Sequence, residues 1–332
     1  MKIISAPPVG ADADIRPRVD VGIDPYGGRG ERATARVAPT NKTGGEIMEA
    51  YVMDAFSTAI FGGNQAGVVL PDRELSDEIM TKIACEFKHS ETAFVRVNGD
   101  KSVTLRYFTP AGEVELCGHA TIGSFALLRA IGKIGDGTHL AHTKAGELNI
   151  EVQGETVWMD MAPPQLLREL TDAELPELYE AYGLTVADKP EGYMPKIVST
   201  GLADIMMPVR DHKVLMAAVQ DERAVTELSR RYDVTGVHMF CPGDDTCTAW
   251  CSNYAPLYDI PEECATGTSN GALTYYLYLQ GMVKPEQENI FLQGEHMDRP
   301  SEIRSRLYEK DGAVTIRIGG RAVMSLACDL KI

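Results

Sequence analysis

At 332 residues with 44% hydrophobic side chains, the chain is long enough for two ordinary domains or one large one, each with a sizeable core. A formal net charge of -16 and a pI near 4.9 exclude nucleic acid or an anionic membrane as the main partner, because phosphate binding needs clustered Lys and Arg. No apolar run approaches the roughly 18 residues of a membrane span, and seven scattered cysteines read as reduced thiols of a soluble cytoplasmic protein rather than a disulfide framework.

Residues 1–47 are rich in Pro, Gly, Ala and Arg and show little apolar periodicity, so a disordered extension is expected there. They lack the apolar core of a signal peptide, and their acidic residues fit a transit peptide poorly. The folded unit, and a natural start, are expected at Met48. From that point short β-rich runs follow one another: "EAYVMDAF", "AGVVLPD", "ETAFVRV", "SVTLRYF", "LNIEVQG" and "TVWMDMA", bounded by Gly, Asn, Asp or Pro. "SDEIMTKIACEF" predicts an amphipathic helix with Ser76 as its N-cap and acids in its first turn. "IGSFALLRAIG" is apolar nearly all round, which predicts a helix buried by sheet.

Beyond a Pro-rich and helical connection over 163–193, the pattern recurs. "MPKIVSTG", "IMMPVRD", "GVHMFCPG" and "CTAWCSNYAP" predict strands, and "PEECATGTSNGALTYYLYLQGM" again leads from a thiol into an apolar helix. Aligning Cys264 on Cys117 superimposes Thr268 on Thr121. The reading is α+β with two pseudo-symmetric domains, 48–165 and 166–332, the C-terminus free to return to the first. A duplicated fold tends to place its site between the copies.

Each Cys is expected at a helix N-terminus, where unpaired N–H groups and the macrodipole favour negative charge and stabilise a thiolate. The same N–H groups suit a substrate carboxylate. Facing thiols could exchange the proton of an α-carbon between its two faces, a racemisation or epimerisation that needs no cofactor. Either Cys alone reads as an inert small hydrophobe; two at equivalent positions tip the balance towards chemistry. His119, two residues after Cys117, is a candidate acid, base or hydrogen-bond donor, whereas pattern alone makes Glu91 a surface charge or cap. Cys241, Cys247 and Cys251 match no common zinc spacing and read as core thiols. No metal, nucleotide or flavin motif occurs.

"MDAFSTAIFGGNQAGVVL", "SETAFV", "ELCGHATIG", "TKAGELNIEV", "VSTG", "ATGTSNGAL" and "QGEHMDRPSEI" together resemble the phenazine-biosynthesis PhzF-like family, of the diaminopimelate-epimerase and proline-racemase fold. The resemblance spans Met48 to Ile332. It implies two domains, each a curved sheet or barrel around a central helix, a site in the cleft, and a homodimer. It places the family's acid/base glutamate on Glu91 and its histidine on His119, with Asn64 in the Gly-Asn turn. Helix-start backbone at Gly118, Ala120 and Thr121, and at Thr266, Gly267, Thr268 and Ser269, would bind a small carboxylate. The family's usual acidic-Pro pair before the second "ATG" is here Glu263-Cys264. That departure restores the paired thiols of the racemases. The preferred reading is a cofactor-independent racemase or epimerase of a small amino acid or related carboxylic acid, using Cys117 and Cys264. The alternatives are a Glu91 isomerase moving a double bond, with Glu263 in place of the Asp, a dehydratase, or a non-catalytic small-acid binding protein. Among residues flanking the cleft, His296 and Asp298 are expected to face solvent and Arg299 to reach substrate.

Overall fold

The computed structural model describes residues 47–99 and 101–332; the expected disordered extension lies outside the described residues except for Ile47, which already belongs to the first strand. The first half runs β1 (Ile47–Ala55), β2 (Asn64–Leu70), α1 (Asp77–Phe87), β3 (Thr92–Gly99), β4 (Ser102–Thr109), β5 (Gly112–Val114), α2 (Gly118–Ala130), β6 (Gly137–Thr143), β7 (Gly146–Gln153), β8 (Thr156–Asp160) and β9 (Gln165–Glu169). The second half runs α3 (Leu175–Glu180), β10 (Lys196–Ser199), β11 (Ala203–Pro208), α4 (His212–Ala217), α5 (Glu222–Tyr232), β12 (Gly236–Pro242), β13 (Ala249–Ala255), β14 (Ile260–Glu263), α6 (Gly267–Leu279), β15 (Glu288–Gln293), β16 (Ser301–Lys310), β17 (Ala313–Gly320) and β18 (Ala322–Lys331).

The duplication is written in the strand pairing. β1 pairs antiparallel with β2, as β10 does with β11. β2 lies parallel to β3, and β11 to β12, because helices make both crossovers. β3–β4 and β12–β13 are antiparallel, while β4∥β6 and β13∥β15 are parallel across the crossovers that carry α2 and α6. The two halves also exchange their last strands. β9 pairs with β10 and β18 pairs with β1 over the whole of β1, so the chain's end closes on its beginning. β8 and β17 join the halves directly.

Helices α2 and α6 are buried on nearly every side, which is why their sequences lack an amphipathic stripe. α2 packs on β1, β2, β7 and β8, and α6 on the corresponding β10, β11, β16 and β17; the two helices also touch. Their side chains share one apolar cluster, which includes Phe125, Leu128, Leu273 and Tyr276. A second cluster lies beneath α3, α4 and α5, and a third under α1. The amphipathic helix expected at Ser76 is present, with the Ser76 Oγ accepting from the Ile79 N–H. α2 begins at Gly118, four residues before the apolar run that announced it.

The register of the repeat differs from the sequence alignment. The first helical hydrogen bonds are Thr121 N–H to Cys117 O and Asn270 N–H to Thr266 O. At the other ends, Lys133 N–H reaches Leu128 O and Met282 N–H reaches Leu277 O. All of these coincide when Thr266 is laid on Cys117, as do the buried positions of the two helices, from Ala120 on Ser269 to Leu128 on Leu277. Thr266, not Cys264, is therefore the structural counterpart of Cys117. Cys264 precedes the α6 cap by two residues instead of standing at the helix terminus. Helical periodicity cannot reveal such a slip, because apolar positions recur all round a buried helix.

Candidate active site

Cys117 is the N-cap of α2, and its side chain makes no capping hydrogen bond; Thr266 caps α6 in the same way. The surface helices α1, α4 and α5 are closed by Ser76, Asp211 and Asp221, whereas the two buried helices, like the short α3, present first turns without a side-chain cap. Each first turn is nevertheless rigid. Thr121 Oγ1 donates back to Cys117 O at 2.7 Å and meets Tyr107 Oη at 2.7 Å. Asn270 Nδ2 does the equivalent for Thr266 O at 2.9 Å and also donates to Gln293 Oε1 at 2.8 Å. Glycine at the helix starts is not demanded by packing: a Cβ on Gly118 would meet only Met159 Sδ at 3.8 Å, and one on Gly267 only Ile318 Cγ2 and Phe56 at ordinary contact distance.

Around α2's cap the structure gathers Glu91, Cys117 and His119. His119 Nδ1 lies 3.4 Å from Cys117 Sγ, and His119 Nε2 lies 3.4 Å from Glu91 Oε2. Glu91 is not the surface charge its sequence context suggested. It immediately precedes β3, its side chain is 22% exposed, and its Oε2 is buried without a well-aligned hydrogen bond. Burial pushes the Cys117 thiol well up, and the negative charges of Glu91 and Glu263 push it further, against the opposing pull of the Ala120 N–H.

From the second half comes Glu263, at the end of β14. Asn64 Nδ2 donates to its Oε1 at 3.0 Å and Thr266 Oγ1 to its Oε2 at 2.6 Å. Burial raises its carboxyl above the usual range, and nearby Glu91 adds to the rise, while His119, Thr266 and Asn64 draw it down. Asn64 also donates to Ala265 O at 2.9 Å, which ties the β2 turn to the segment ahead of α6.

Cys264 is oriented differently from Cys117. Its Sγ–H donates to Gly63 O at 3.1 Å, and burial and Glu263 raise its thiol to about 11 although Arg299 opposes them. Among the described residues, Glu91, Cys117 and His119 form the one cluster of close ligand-type atoms, and Cys264 is not part of it. Ser269, expected to bind substrate, has its hydroxyl taken by Asp204 Oδ2 at 2.6 Å and by Asn253 Nδ2 at 3.0 Å. Thr268 O accepts Thr200 Oγ1. These bonds take the Ser269 hydroxyl out of play and leave the helix-start N–H groups to meet a ligand.

Two expectations about the flanking residues are corrected. The Arg299 guanidinium, expected to reach substrate, is engaged by the protein: its Nε donates to Gly63 O at 2.9 Å, and its Nη2 to Gly62 O at 2.7 Å and Asp54 Oδ1 at 3.2 Å. His296 does not face solvent, because its Nδ1 lies 3.3 Å from Glu262 Oε1 and 3.2 Å from Ser252 Oγ. Sequence reading missed Asp54 altogether. It also missed His89, a half-buried imidazole whose pKa falls through burial and through the nearby Arg299 and His119, with Asp54 opposing. Nothing in a single sequence links Asp54 to a residue 245 positions later. The Cys241, Cys247 and Cys251 thiols are buried and unpaired, as core thiols should be.

Comparison with known proteins agrees with this architecture. The family model described as phenazine biosynthesis-like protein matches residues 53–327. An uncharacterized isomerase of Deinococcus radiodurans is 33% identical over 282 residues, covering 81% of this chain and 90% of that one. A PhzF-family phenazine biosynthesis protein of Bacillus anthracis superimposes with a TM-score of 0.79 at 26% identity, over 86% of this chain and 100% of its own. A hydroxyproline epimerase of Agrobacterium vitis, solved with trans-4-hydroxy-L-proline, shares the fold at a TM-score of 0.53 and 13% identity, over 86% and 91% of the two chains. No helix among the described residues is long and apolar enough to cross a membrane.

Proposed function

The chain belongs to the phenazine-biosynthesis-like PhzF family and is an isomerase, and on that premise we propose that it moves a proton between carbons of a small carboxylic acid with Glu91 as acid/base. The observation that carries this reading is the buried Glu91 Oε2, free of a well-aligned hydrogen bond and steadied by His119 at 3.4 Å. A largely buried carboxylate with an open lone pair is a competent base; one already saturated by donors is not.

In this reading the substrate carboxylate rests on the first-turn N–H groups of α2 and α6, over Gly118–Thr121 and Thr266–Ser269. Glu91 takes a proton from a carbon conjugated with that carboxylate. The C–H electron pair moves into the acid, and its charge is met by the same N–H groups. Proton return, from Glu91 or from the Glu263 carboxyl, then sets the product as a shifted double bond or an inverted centre. Glu263 is the candidate for the return because burial raises its carboxyl above the usual range, so two carboxyls with unlike surroundings can divide the roles of acid and base. The homodimer implied by the resemblance is part of the same proposal.

A two-thiol racemase through Cys117 and Cys264 ranks second. What favours it is that both thiols are free and buried near a helix start. Against it, forming the Cys264 thiolate from a pKa of about 11 at neutral pH costs on the order of 5 kcal/mol. That is a rate penalty of roughly a thousandfold or more before chemistry begins.

Solvent-proton exchange in heavy water separates the two, read by NMR on a panel of unsaturated small acids and both enantiomers of the common amino acids. Glu91→Gln should cut exchange roughly 10²–10⁴-fold, while Cys264→Ala stays near the unsubstituted protein. Exchange that survives Glu91→Gln but is lost in both Cys117→Ala and Cys264→Ala would transfer the role to the thiols.

A further inference from the structure

We propose that Glu91, Cys117 and His119 also form a site for a zinc-like divalent cation, and that a bound cation silences the isomerase. The binding claim stands on geometry alone; the silencing claim rests on Glu91 being the acid/base.

Glu91 and Cys117 each offer one ligand atom and His119 one ring nitrogen, all within 4.8 Å of one another. Through His119 Nε2 the separations are 3.4 Å to Glu91 Oε2 and 3.8 Å to Cys117 Sγ. In a tetrahedral zinc centre with bonds of about 2.0–2.3 Å, ligand atoms sit roughly 3.3–3.6 Å apart. The Glu91–His119 edge is thus formed, whereas Cys117 Sγ lies nearer Nδ1 than Nε2, so the imidazole or the thiol must turn for all three atoms to face one ion. Imidazole, thiolate and carboxylate together suit zinc and cobalt rather than magnesium or calcium, which favour all-oxygen ligands. Three protein ligands leave the fourth position for water, and Glu91, the most exposed of the three, gives the route of entry.

Charge points the same way. Glu91 and Glu263 both lie close enough to bear on Cys117, so the cap gathers two acidic side chains around its sulfur. A divalent cation complements them. On binding, the Sγ–H bond breaks, the proton leaves to solvent, and the sulfur forms a bond to the metal with no change in oxidation state. The orphaned Glu91 Oε2 gains the partner it lacks. Occupied in this way, Glu91 has no free lone pair with which to take a substrate proton.

The experiment uses the full chain with the exposed thiols Cys85 and Cys328 replaced by serine, so that surface sulfur cannot contribute, and titrates it with cobalt(II) as a spectroscopic stand-in. One equivalent should produce a thiolate-to-cobalt charge-transfer band and the intense visible bands of a tetrahedral centre, and zinc should displace it. Cys117→Ala should abolish the charge-transfer band and weaken zinc binding by more than about 100-fold. Glu91→Gln, a gentler change at a more exposed position, should weaken binding while keeping the sulfur band. Octahedral cobalt without that band, or unchanged affinity in Cys117→Ala, overturns the site. Cobalt bound through sulfur with proton exchange intact overturns the silencing claim. Failure of the Glu91 reading appears separately, as exchange that survives Glu91→Gln in metal-free protein.

Discussion

Replacing Arg299 by methionine keeps most of the side chain's apolar stem and removes its charge. Asp54 is fully buried and Arg299 is 21% exposed. Without the guanidinium, Asp54 Oδ2 retains the Phe61 N–H at 2.7 Å, but Oδ1 loses its partner. The Gly62 and Gly63 carbonyls lose a charged donor each, although Gly63 O keeps the Cys264 Sγ–H. Breaking one side of a buried pair costs about 3–5 kcal/mol because the remaining charge is stranded. Partial exposure of Arg299 places the expected loss near the lower end, about 3 kcal/mol. For a chain of this size each kcal/mol moves the thermal midpoint by about 2 °C, so Arg299→Met should melt roughly 6 °C earlier in calorimetry. The decisive comparison is a cycle with Asp54→Asn. If the loss is a stranded carboxylate, Arg299→Met should cost at least about 1 kcal/mol less when Asn occupies position 54. A midpoint shift below about 2 °C, or additive single and double variants, would refute the account. The clamp also fixes the turn from which Asn64 grips Glu263, so exchange activity should fall along with stability.

Two glycines make a paired test of packing against ligand approach. Gly63 has φ of +62°, and a Cβ there would lie 2.2 Å from Ala55 O, so Gly63→Ala should lose more than about 2 kcal/mol in urea denaturation. Gly118→Ala meets only Met159 Sδ at 3.8 Å; it should hold or gain up to about 1 kcal/mol while weakening substrate affinity, if a carboxylate approaches that backbone. The His296–Glu262 pair predicts a pH dependence. His296 is raised above its ordinary value of 6.5, first through its hydrogen bond to Glu262, with burial opposing. Its stabilising contribution is therefore complete below that unfolded value and disappears as pH rises through the higher folded one. Glu262→Gln should accordingly lower the melting midpoint more at about pH 6 than at about pH 9; an equal loss at both would contradict the assignment.

What could be read from the sequence was what leaves a periodic or local mark. Alternating strands, the Ser76 cap, the buried run of α2 and the existence of a repeat are all of that kind. The helices α4 and α5 and the last strands β15–β18 were not placed. α4 has six residues, too few for a helical period to register, whereas α5 is strongly amphipathic and capped by Asp221 and was open to reading. For the candidate site, sequence could name residues but not their pairings. Glu91, His119, Asn64 and both cysteines were named, yet a bond such as Asn64 to Glu263 joins positions 199 residues apart, and it exists only once β2 and β14 are folded. His296 and Arg299 were misjudged for the same reason, since their partners Glu262, Asp54 and the Gly62–Gly63 carbonyls carry no local signature. The Glu91, Cys117 and His119 cluster escaped any metal motif because only Cys117 and His119 are close in sequence, and at a spacing no common zinc site uses.

The duplication bears on the choice between mechanisms. A racemase that deprotonates either face of one carbon is served by equivalent bases from equivalent positions, which is what laying Cys264 on Cys117 seemed to offer. Once the buried helices themselves are superimposed, Cys117 stands opposite Thr266 and His119 opposite Thr268. In the helix superposition Glu263 falls opposite Val114. With Val114 on Glu263, the pairings of Tyr107 with Val114 and Ala93, and of Asn253 with Glu263 and His238, set Glu91 opposite Gly236. None of the ionisable groups at the site therefore has a counterpart of its own kind. The two copies supply matching scaffolds, with rigid uncapped helix starts whose N–H groups can share a carboxylate, but unlike chemistry. One brings Glu91, whose Oε2 has no hydrogen-bond partner, and the other the buried Glu263, whose carboxyl is raised above the usual range by burial. Such asymmetry suits a reaction whose two proton transfers occur at different carbons or demand different acidities, and it gives the two-thiol pair no structural privilege.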